Sequence, residues 1–462
     1  MIQRYVPSLI HIIATLIITR RILPTDFGEV ALVMTFTQIS SLLVASGLGE
    51  GLMYRVNNSQ RMYSSVFYFN VTVAILLYLI FFLISGIIST FYEMPRLEFL
   101  VKIVCLNIPL YALSYIQRIQ KQMQLKFQLL AVISFLASII GSTVGIILSY
   151  SGAGVWSIVL LTLTINSVEM LLLWITSNWK PSLVFAWCDI IEIFPYSVKI
   201  LFNNLVQVVY DNIYSLVIGK CFNAKLLGFF NRMQTVVYYT TTNFMYSIDS
   251  VFFPILCRRK NDRGEIEKAY EKLFRLSTLI AFPVLIYLIG LARQLITVIL
   301  TENWIEGLPV LQLIATAFLF VPISYINNSF LKVLNRTDIL LYSNIVKKII
   351  GVFILIVTIT IGFRAVCYGV IAYYFLDACI SIYCSYRFLK IGIARQLSYI
   401  RTNVIFNIMY LLVLYFLQLY IEYDILLLFA GVFAGLVLFM SLHCILKTKE
   451  YKLVIEIVNN IR

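Results

Sequence analysis

The sequence predicts an all-α polytopic membrane protein with about fourteen transmembrane helices, arranged as two six-helix lobes followed by two C-terminal helices. Three observations support this prediction: an apolar composition, apolar runs long enough to cross a bilayer, and connections that alternate in charge. Of the 462 residues, 61% are hydrophobic and 13% are charged, whereas a soluble domain carries about 25% charged residues. The mean hydropathy is +0.91. We therefore expect the bilayer, rather than water, to surround most of the chain.

The apolar runs predict helices rather than the strands of a barrel. A spanning helix needs about 20 mainly apolar residues, and these runs are long and unbroken instead of alternating in polarity. The fourteen predicted spans are 3–22, 29–54, 63–90, 98–118, 125–150, 154–176, 191–218, 225–256, 270–299, 307–334, 338–361, 364–388, 399–421 and 424–446.

The net charge of +14 is distributed over short connections and not gathered in one patch, which argues against nucleic-acid binding. Cations are concentrated in every second connection, for example at Arg55 and Arg61, and in the tail at Lys447 and Lys449. The intervening connections are poorer in cations. Because positively charged loops stay in the cytoplasm, the sequence predicts that both termini are cytoplasmic.

Matching features indicate an internal repeat at offsets between 200 and 213 residues. The matched features are Arg20 with Lys220, Gly28 with Gly228, Ile108–Pro109 with Val321–Pro322, Gly152 with Gly362, and Glu169 with Asp377. Six spans per half give both halves the same orientation, as in transporters with parallel repeats. The predicted organisation is an N-terminal six-helix lobe, a cytoplasmic linker, a C-terminal six-helix lobe, and two additional helices with a cytoplasmic tail. These segments are 1–176, 177–190, 191–390 and 391–462.

Polar side chains are costly inside a membrane and therefore indicate function. The seventh predicted span is the richest in them. Asn204, Gln207 and Asp211 share one helical face because of their spacing, and Asn203 lies one turn after Lys199. We predict that this face lines an aqueous cavity; the alternative is hydrogen bonding between helices.

Several ordered motifs resemble those of polysaccharide flippases, the Wzx-type O-antigen and exopolysaccharide translocases of the MOP superfamily. They are the run Arg20–Gly28, the pair of segments Gly152–Trp156 and Trp179–Ser182, and the pair Ile218–Lys220 and Leu227–Arg232. The resemblance implies a MATE-like fold in the bacterial cytoplasmic (inner) membrane. It also implies alternating-access transport of an undecaprenyl-pyrophosphate-linked oligosaccharide, the repeat unit of O-antigen, capsule or exopolysaccharide, to the periplasmic or outer leaflet.

Such a substrate carries a pyrophosphate, so cations inside the spans are candidates to bind it. The candidates are Lys199, Arg275, Lys347 and Lys348. The alternative for each is a charge that reaches the membrane surface or pairs with a carboxylate. We assign the motif residues a structural role first and a gating role second; they are Arg20, Asp26, Gly28, Lys220 and Gly228.

The sequence contains no large loop for a catalytic domain and no phosphate-binding glycine loop, so we expect neither enzymatic activity nor ATP-driven transport by this chain. We expect no cofactor and no metal site, and coupling to a proton or sodium gradient. Expected partners are the lipid-linked oligosaccharide, membrane lipids, and the polysaccharide polymerase and chain-length machinery.

One alternative function is that of a MATE-like cation-coupled multidrug exporter, although the first span carries no acidic residue before Asp26. A glycosyltransferase or polymerase is the other, which the absence of a large outer loop disfavours.

Overall fold

The computed structural model describes residues 2–55, 58–258 and 262–451. Within these ranges the chain is helical apart from short connections. The packing of the helices divides the chain into two compact units, Met1–Gly228 (unit 1) and Phe229–Arg462 (unit 2). The prediction of an all-α polytopic protein is confirmed, and the lobe and linker boundaries given above stay a prediction.

Unit 1 consists of long helices and two short ones, and each short helix shares a predicted span with a long helix. These helices are α1 (Ile2–Thr19), α2 (Pro24–Ala45), α3 (Leu48–Tyr54), α4 (Gln60–Tyr92), α5 (Leu97–Val104), α6 (Asn107–Met123), α7 (Phe127–Tyr150), α8 (Trp156–Ile175), α9 (Trp187–Cys221) and the beginning of α10 (Ala224–Arg258). Helix α9 packs against α2, α3 and α4.

Unit 2 contains the rest of α10 and the helices that follow it. These are α11 (Arg263–Gly290), α12 (Ala292–Leu295), a π-helical turn (Ile296–Leu300), a 3-10 helix (Glu302–Gly307), α13 (Leu308–Phe318), α14 (Val321–Val333), α15 (Thr337–Ile361), α16 (Phe363–Leu389), α17 (Ile393–Tyr420) and α18 (Asp424–Ile445). Its core is rich in aromatic side chains from α11, α14 and α17, including Tyr270, Phe330 and Tyr399.

Eleven helical segments of the described chain are long and apolar enough to cross a membrane. They coincide with the predicted spans except the first, seventh and eighth. The first contributes a shorter apolar helix, Pro7–Thr19, and α9 and α10 are 35 residues long but more polar. Large apolar side chains such as Leu83 and Ile361 are 78% and 72% exposed, as expected for surfaces that contact lipid. The multi-pass architecture is confirmed, and the exact number of fourteen spans stays a prediction.

Two predicted spans are interrupted at matched positions of the internal repeat. Proline lacks an N–H group, and its ring clashes with the carbonyl group four residues earlier. Pro109 therefore disfavours a continuous helix at Cys105, and α5 ends there before α6 begins. In the second half, α13 ends and α14 begins immediately before Pro322. The fourth and tenth predicted spans thus share the same interruption, which supports the repeat.

The turns α7–α8 and α15–α16 also match. Gly152 has a φ angle of +82° and Gly362 a φ angle of +135°, conformations that residues with a Cβ atom avoid. The two glycines were paired in the sequence by position alone. The structure shows that both occupy backbone conformations that favour glycine, which gives their match a physical reason.

Candidate functional site: charged and polar side chains within the spans

Helix α9 carries the polar face that the sequence predicts. Gln207 and Asp211 are exposed, and Gln207 Nε2 donates to both carboxylate oxygens of Asp211, at 2.8 and 3.0 Å. Asn204 is half-buried, one turn earlier, and Lys199 is exposed. The structure therefore brings Gln207 and Asp211 together on one helical face. The aqueous cavity that this face is predicted to line stays a prediction.

Asn212, next to this face, holds α9 against α2. Its Nδ2 donates to Gln38 Oε1 at 3.2 Å, and its Oδ1 accepts from Thr35 Oγ1 at 3.2 Å. These two bonds match the alternative interpretation of polar residues in spans, which is hydrogen bonding between helices. Helix α9 therefore uses polar side chains for packing on one side and presents others on its surface.

Lys347 is a buried member of an ion pair. Its side chain is 3% exposed, and its Nζ lies 2.8 Å from Asp377 Oδ1 on the next helix. The same amine donates to Ser381 Oγ at 2.7 Å, and Ser381 donates to Asn328 Oδ1 at 3.3 Å. The charge of Lys347 is thus balanced within unit 2, and the group connects α14, α15 and α16. Lys348, the next residue, is half-buried.

A second ion pair lies in unit 1 and involves none of the predicted site residues. Arg118 Nη2 lies 2.6 Å from Glu169 Oε1, which also accepts from Ser134 Oγ at 3.1 Å. The fourth predicted span, 98–118, ends at Arg118, but α6 continues beyond it to Met123. The sequence feature that could have indicated this ion pair is the match of Glu169 with Asp377, because each carboxylate pairs with a basic side chain.

Arg275 is also engaged within its own unit. The residue is 7% exposed, and its Nη1 lies 2.6 Å from Glu450 Oε1 and donates to the carbonyl oxygen of Tyr399 at 3.2 Å. Its Nε lies 2.9 Å from Glu271 Oε1. Two carboxylates therefore compensate this guanidinium, and any phosphate group that binds it must displace one of them.

A cavity of about 840 Å³ lies beside this cluster, between α11, α17 and α18. Its wall is almost entirely apolar and is completed by the segment after α18. Two of the three tyrosine hydroxyls of the wall donate to backbone carbonyl oxygens, Tyr287 to that of Leu428 at 3.1 Å and Tyr410 to that of Gly431 at 3.0 Å. The interior of the cavity can therefore accommodate an apolar chain. Residues lining it include Leu279, Pro283, Leu436, Phe439, Glu450 and Tyr451.

The motif glycines lie at a close helix crossing. A Cβ atom on Gly28 would overlap the carbonyl oxygen of Ala224, and a Cβ atom on Gly228 would overlap that of Pro24. The contact is reciprocal: each glycine meets the residue four positions before the other. The crossing of α2 with the beginning of α10 requires glycine at both places, and the role assigned to the motif residues stays a prediction.

Two of the three charged motif residues, Asp26 and Lys220, form ion pairs at the helix ends. Asp26 Oδ1 lies 3.1 Å from Arg96 Nη1. Lys220 Nζ lies 3.2 Å from Glu93 Oε1 and donates to the carbonyl oxygen of Phe91 at 2.6 Å. Arg20 is exposed. Asp26 and Lys220 thus contact the region around the α4–α5 connection, and the gating role of these motif residues stays a prediction.

This chain is similar to known proteins in sequence and, separately, to solved structures in fold. It is 23% identical over 308 residues to the teichuronic acid biosynthesis protein TuaB of Bacillus subtilis (strain 168), covering 66% of this chain and 64% of that protein. It is 22% identical to the succinoglycan biosynthesis transport protein ExoT of Rhizobium meliloti (strain 1021), covering 65% and 60%. The lipopolysaccharide biosynthesis protein WzxC of Escherichia coli (strain K12) is 22% identical, covering 73% and 68%. The matched region thus spans less than two thirds of the length of TuaB and ExoT.

Two solved structures share the fold. The lipid II flippase MurJ in an inward closed conformation matches with a TM-score of 0.76 and 13% identity, covering 97% of this chain and 99% of MurJ. An inward-facing MATE multidrug transporter of the MOP superfamily matches with a TM-score of 0.61 and 14% identity, covering 84% and 98%. The predicted MATE-like fold is therefore confirmed. The family model described as "Polysaccharide biosynthesis protein" matches residues 17–309, and the chain belongs to this family.

Proposed function

We propose that this protein is a flippase that moves an undecaprenyl-pyrophosphate-linked oligosaccharide from the cytoplasmic to the periplasmic or outer leaflet by alternating access. The observation that carries the proposal is the family match over residues 17–309, combined with a fold shared along 97% of the chain with a lipid II flippase. The names of ExoT and WzxC, which refer to succinoglycan transport and lipopolysaccharide biosynthesis, support a glycan precursor as the substrate. The proposed site of action is the bacterial inner membrane, with both termini in the cytoplasm.

Within this proposal, Lys199 is the cation we assign to the pyrophosphate. Arg275 and Lys347 are buried in ion pairs, so binding an anion there would require breaking a compensated contact. Lys199 is exposed on the helix that also presents Gln207 and Asp211. An ammonium group binds phosphate as a point charge, and the neighbouring amides and carboxylate can bind sugar hydroxyls. The polymerase and chain-length machinery are proposed partners.

We further propose that the chain is a transporter without enzymatic activity and that an ion gradient drives it. Carboxylates within the spans are the groups able to bind a proton or sodium ion, and Asp211 is exposed on the polar face of α9. Transport into vesicles with imposed proton or sodium gradients distinguishes the two ions. Transport that is unchanged without either gradient would contradict the coupling.

The test of the function is to delete the gene in its host and determine which leaflet holds the undecaprenyl-linked oligosaccharide. The proposal requires accumulation on the cytoplasmic side, relieved by expression of the wild-type gene but not by Lys199→Gln. The second candidate is a multidrug exporter, favoured only by the fold shared with the MATE transporter. If the deletion left the leaflet distribution of the lipid-linked glycan unchanged and raised the sensitivity to cationic dyes, the assigned function would be multidrug export and not lipid flipping.

A further inference from the structure

The segment after α18 inserts a carboxylate into unit 2. Glu450 is 1% exposed and lies 2.6 Å from Arg275, as described above. Lys449, beside it, lies 2.8 Å from Glu271, one turn before Arg275 on α11. The segment is also tied to the end of α18, since His443 Nδ1 and Thr448 Oγ1 are 2.6 Å apart. Residues 448–450 are therefore fixed against α11 by side-chain contacts.

Arg275 lies where the charged part of α11 gives way to its apolar part. It is the last charged residue of the helix, and residues 276–290 contain no Asp, Glu, Lys or Arg. Basic residues at such a boundary lie at the level of the lipid headgroups. The planar donors of a guanidinium fit the oxygens of a phosphate group. Arg275 is thus at the depth, and has the chemistry, to bind a lipid phosphate.

The apolar cavity continues from this position. Leu279 and Pro283 follow Arg275 by one and two turns on the same face of α11, and both line the cavity. Glu450 lines the cavity as well and contacts Arg275, which itself is not part of the cavity wall. The carboxylate therefore stands between the cation and the apolar space. The volume of about 840 Å³ lies within the range of roughly 300–1,000 Å³ usual for ligand pockets.

While Glu450 lies beside Arg275, one of its two carboxylate oxygens lacks a hydrogen bond from the described residues. Glu450 Oε2 is buried and has no hydrogen-bond partner in the part of the chain that the structure describes. An unsatisfied oxygen of a buried charged group costs free energy. The carboxylate is consequently an imperfect occupant of the place beside Arg275.

We propose that Arg275 and this cavity form a binding site for an anionic phospholipid of the surrounding bilayer, and that Glu450 occupies the phosphate position until residues 448–450 are displaced. In the open form the lipid phosphate accepts hydrogen bonds from Arg275, and an acyl chain lies along Leu279, Pro283 and the facing side chains of α17 and α18. Glu450 is then an internal competitor. The proposal does not depend on the transported substrate, because it concerns a lipid that every membrane-embedded copy meets.

The test compares binding of phosphatidic acid to the purified full-length protein and three variants in detergent. Glu450→Gln removes the competing charge and is expected to bind phosphatidic acid about tenfold more tightly, because a closed fraction near nine tenths lowers the apparent affinity tenfold. The double variant Arg275→Gln/Glu450→Gln lacks the cation but keeps a neutral pair, so it should fold and lose this gain. Glu422→Gln, an exposed acid elsewhere in the chain, is the matched control and should bind as the wild type does.

Four results would overturn the proposal. The first is unchanged binding by Glu450→Gln, and the second is an equal gain in the double variant. The third is an equal gain for diacylglycerol, which lacks the phosphate, or for inorganic phosphate, which lacks the chains. The fourth is a gain in affinity for undecaprenyl phosphate but none for phosphatidic acid. The ligand of the site would then be a carrier lipid and not a phospholipid of the bilayer. Thermal unfolding of each variant establishes that it is folded, and no transport is measured, so the flippase proposal is tested separately.

Discussion

The two halves of the chain each contain a carboxylate–cation pair, but they bury it to different degrees. In unit 1, Arg118 on α6 pairs with Glu169 on α8, and the side chain of Arg118 is 32% exposed. In unit 2, Lys347 on α15 pairs with Asp377 on α16, and the side chain of Lys347 is 3% exposed. The carboxylates are matched in the repeat, whereas the cations come from helices that are not. In the predicted repeat, the acid thus has the same position in both halves, and the cation that compensates it differs.

The largest expected effect comes from breaking the more buried pair. Lys347→Met leaves Asp377, which is 15% exposed, without its counter-ion and should destabilise the protein by about 3–5 kcal/mol. Arg118→Met should cost less, about 1–2 kcal/mol, because a partly exposed pair is weaker. Thermal or denaturant unfolding in detergent measures both.

A double variant separates loss of the ion pair from loss of packing at this site. Lys347→Met/Asp377→Leu removes both charges and should recover most of the stability lost by Lys347→Met. If the double variant were as unstable as the single one, the buried charge would not be the cause of the loss. Equal losses of stability for Lys347→Met and Arg118→Met would contradict the expectation that the more buried ion pair contributes more.

The matched glycines should respond alike, in contrast to the ion pairs. Gly28→Ala and Gly228→Ala each force a Cβ atom against the backbone of the other helix, and overpacking of this kind costs about 1–3 kcal/mol. Gly86→Ala is the control, because its Cβ atom would meet only Glu98, at 3.9 Å. Unfolding temperatures of the three variants test this, and a stable Gly28→Ala variant would mean that the helices separate freely there.

The turn glycines should differ by a smaller amount. Gly362 has φ +135° and ψ 172°, a region populated almost only by glycine, so Gly362→Ala should cost about 2 kcal/mol. Gly152, with φ +82°, is nearer the left-handed helical region, and Gly152→Ala should cost about 1 kcal/mol. Neither Cβ atom would meet another atom within 4 Å, so backbone conformation alone is tested. The reverse order of the two losses would contradict this assignment.

The smallest effect on stability is expected on the exposed polar face of α9. Asp211→Asn removes a charge from an exposed side chain and should change stability by less than about 0.5 kcal/mol. If this face binds substrate or ion, export in the deletion strain should nevertheless fall. Glu422→Gln serves as the control and should export normally. Normal export by Asp211→Asn would remove Asp211 from the proposed transport path.

Much of the fold could be predicted because the insertion of a helix into a membrane depends on the hydropathy of its own residues. The spans, the polar face of α9 and the matched features at Pro109 and Pro322 all depend on residues close together in the sequence. The partners of the charged side chains could not be predicted in this way. Arg275 was a candidate for binding pyrophosphate, but Glu450, which lies 175 residues later in the chain, compensates it. The fourth predicted span ends at Arg118, five residues before the end of α6 at Met123, because hydropathy defines a helix end poorly.

The sequence by itself determined the membrane environment, the helical class and the family motifs, since each follows from composition or short-range spacing, and the internal repeat stays a prediction. Only the tertiary structure decided which cations are compensated and which are exposed. Lys347 and Arg275 are buried beside carboxylates, whereas Lys199 is exposed. The reason is physical: the cost of a charge depends on its burial and its partner, and both are set by how distant helices pack together.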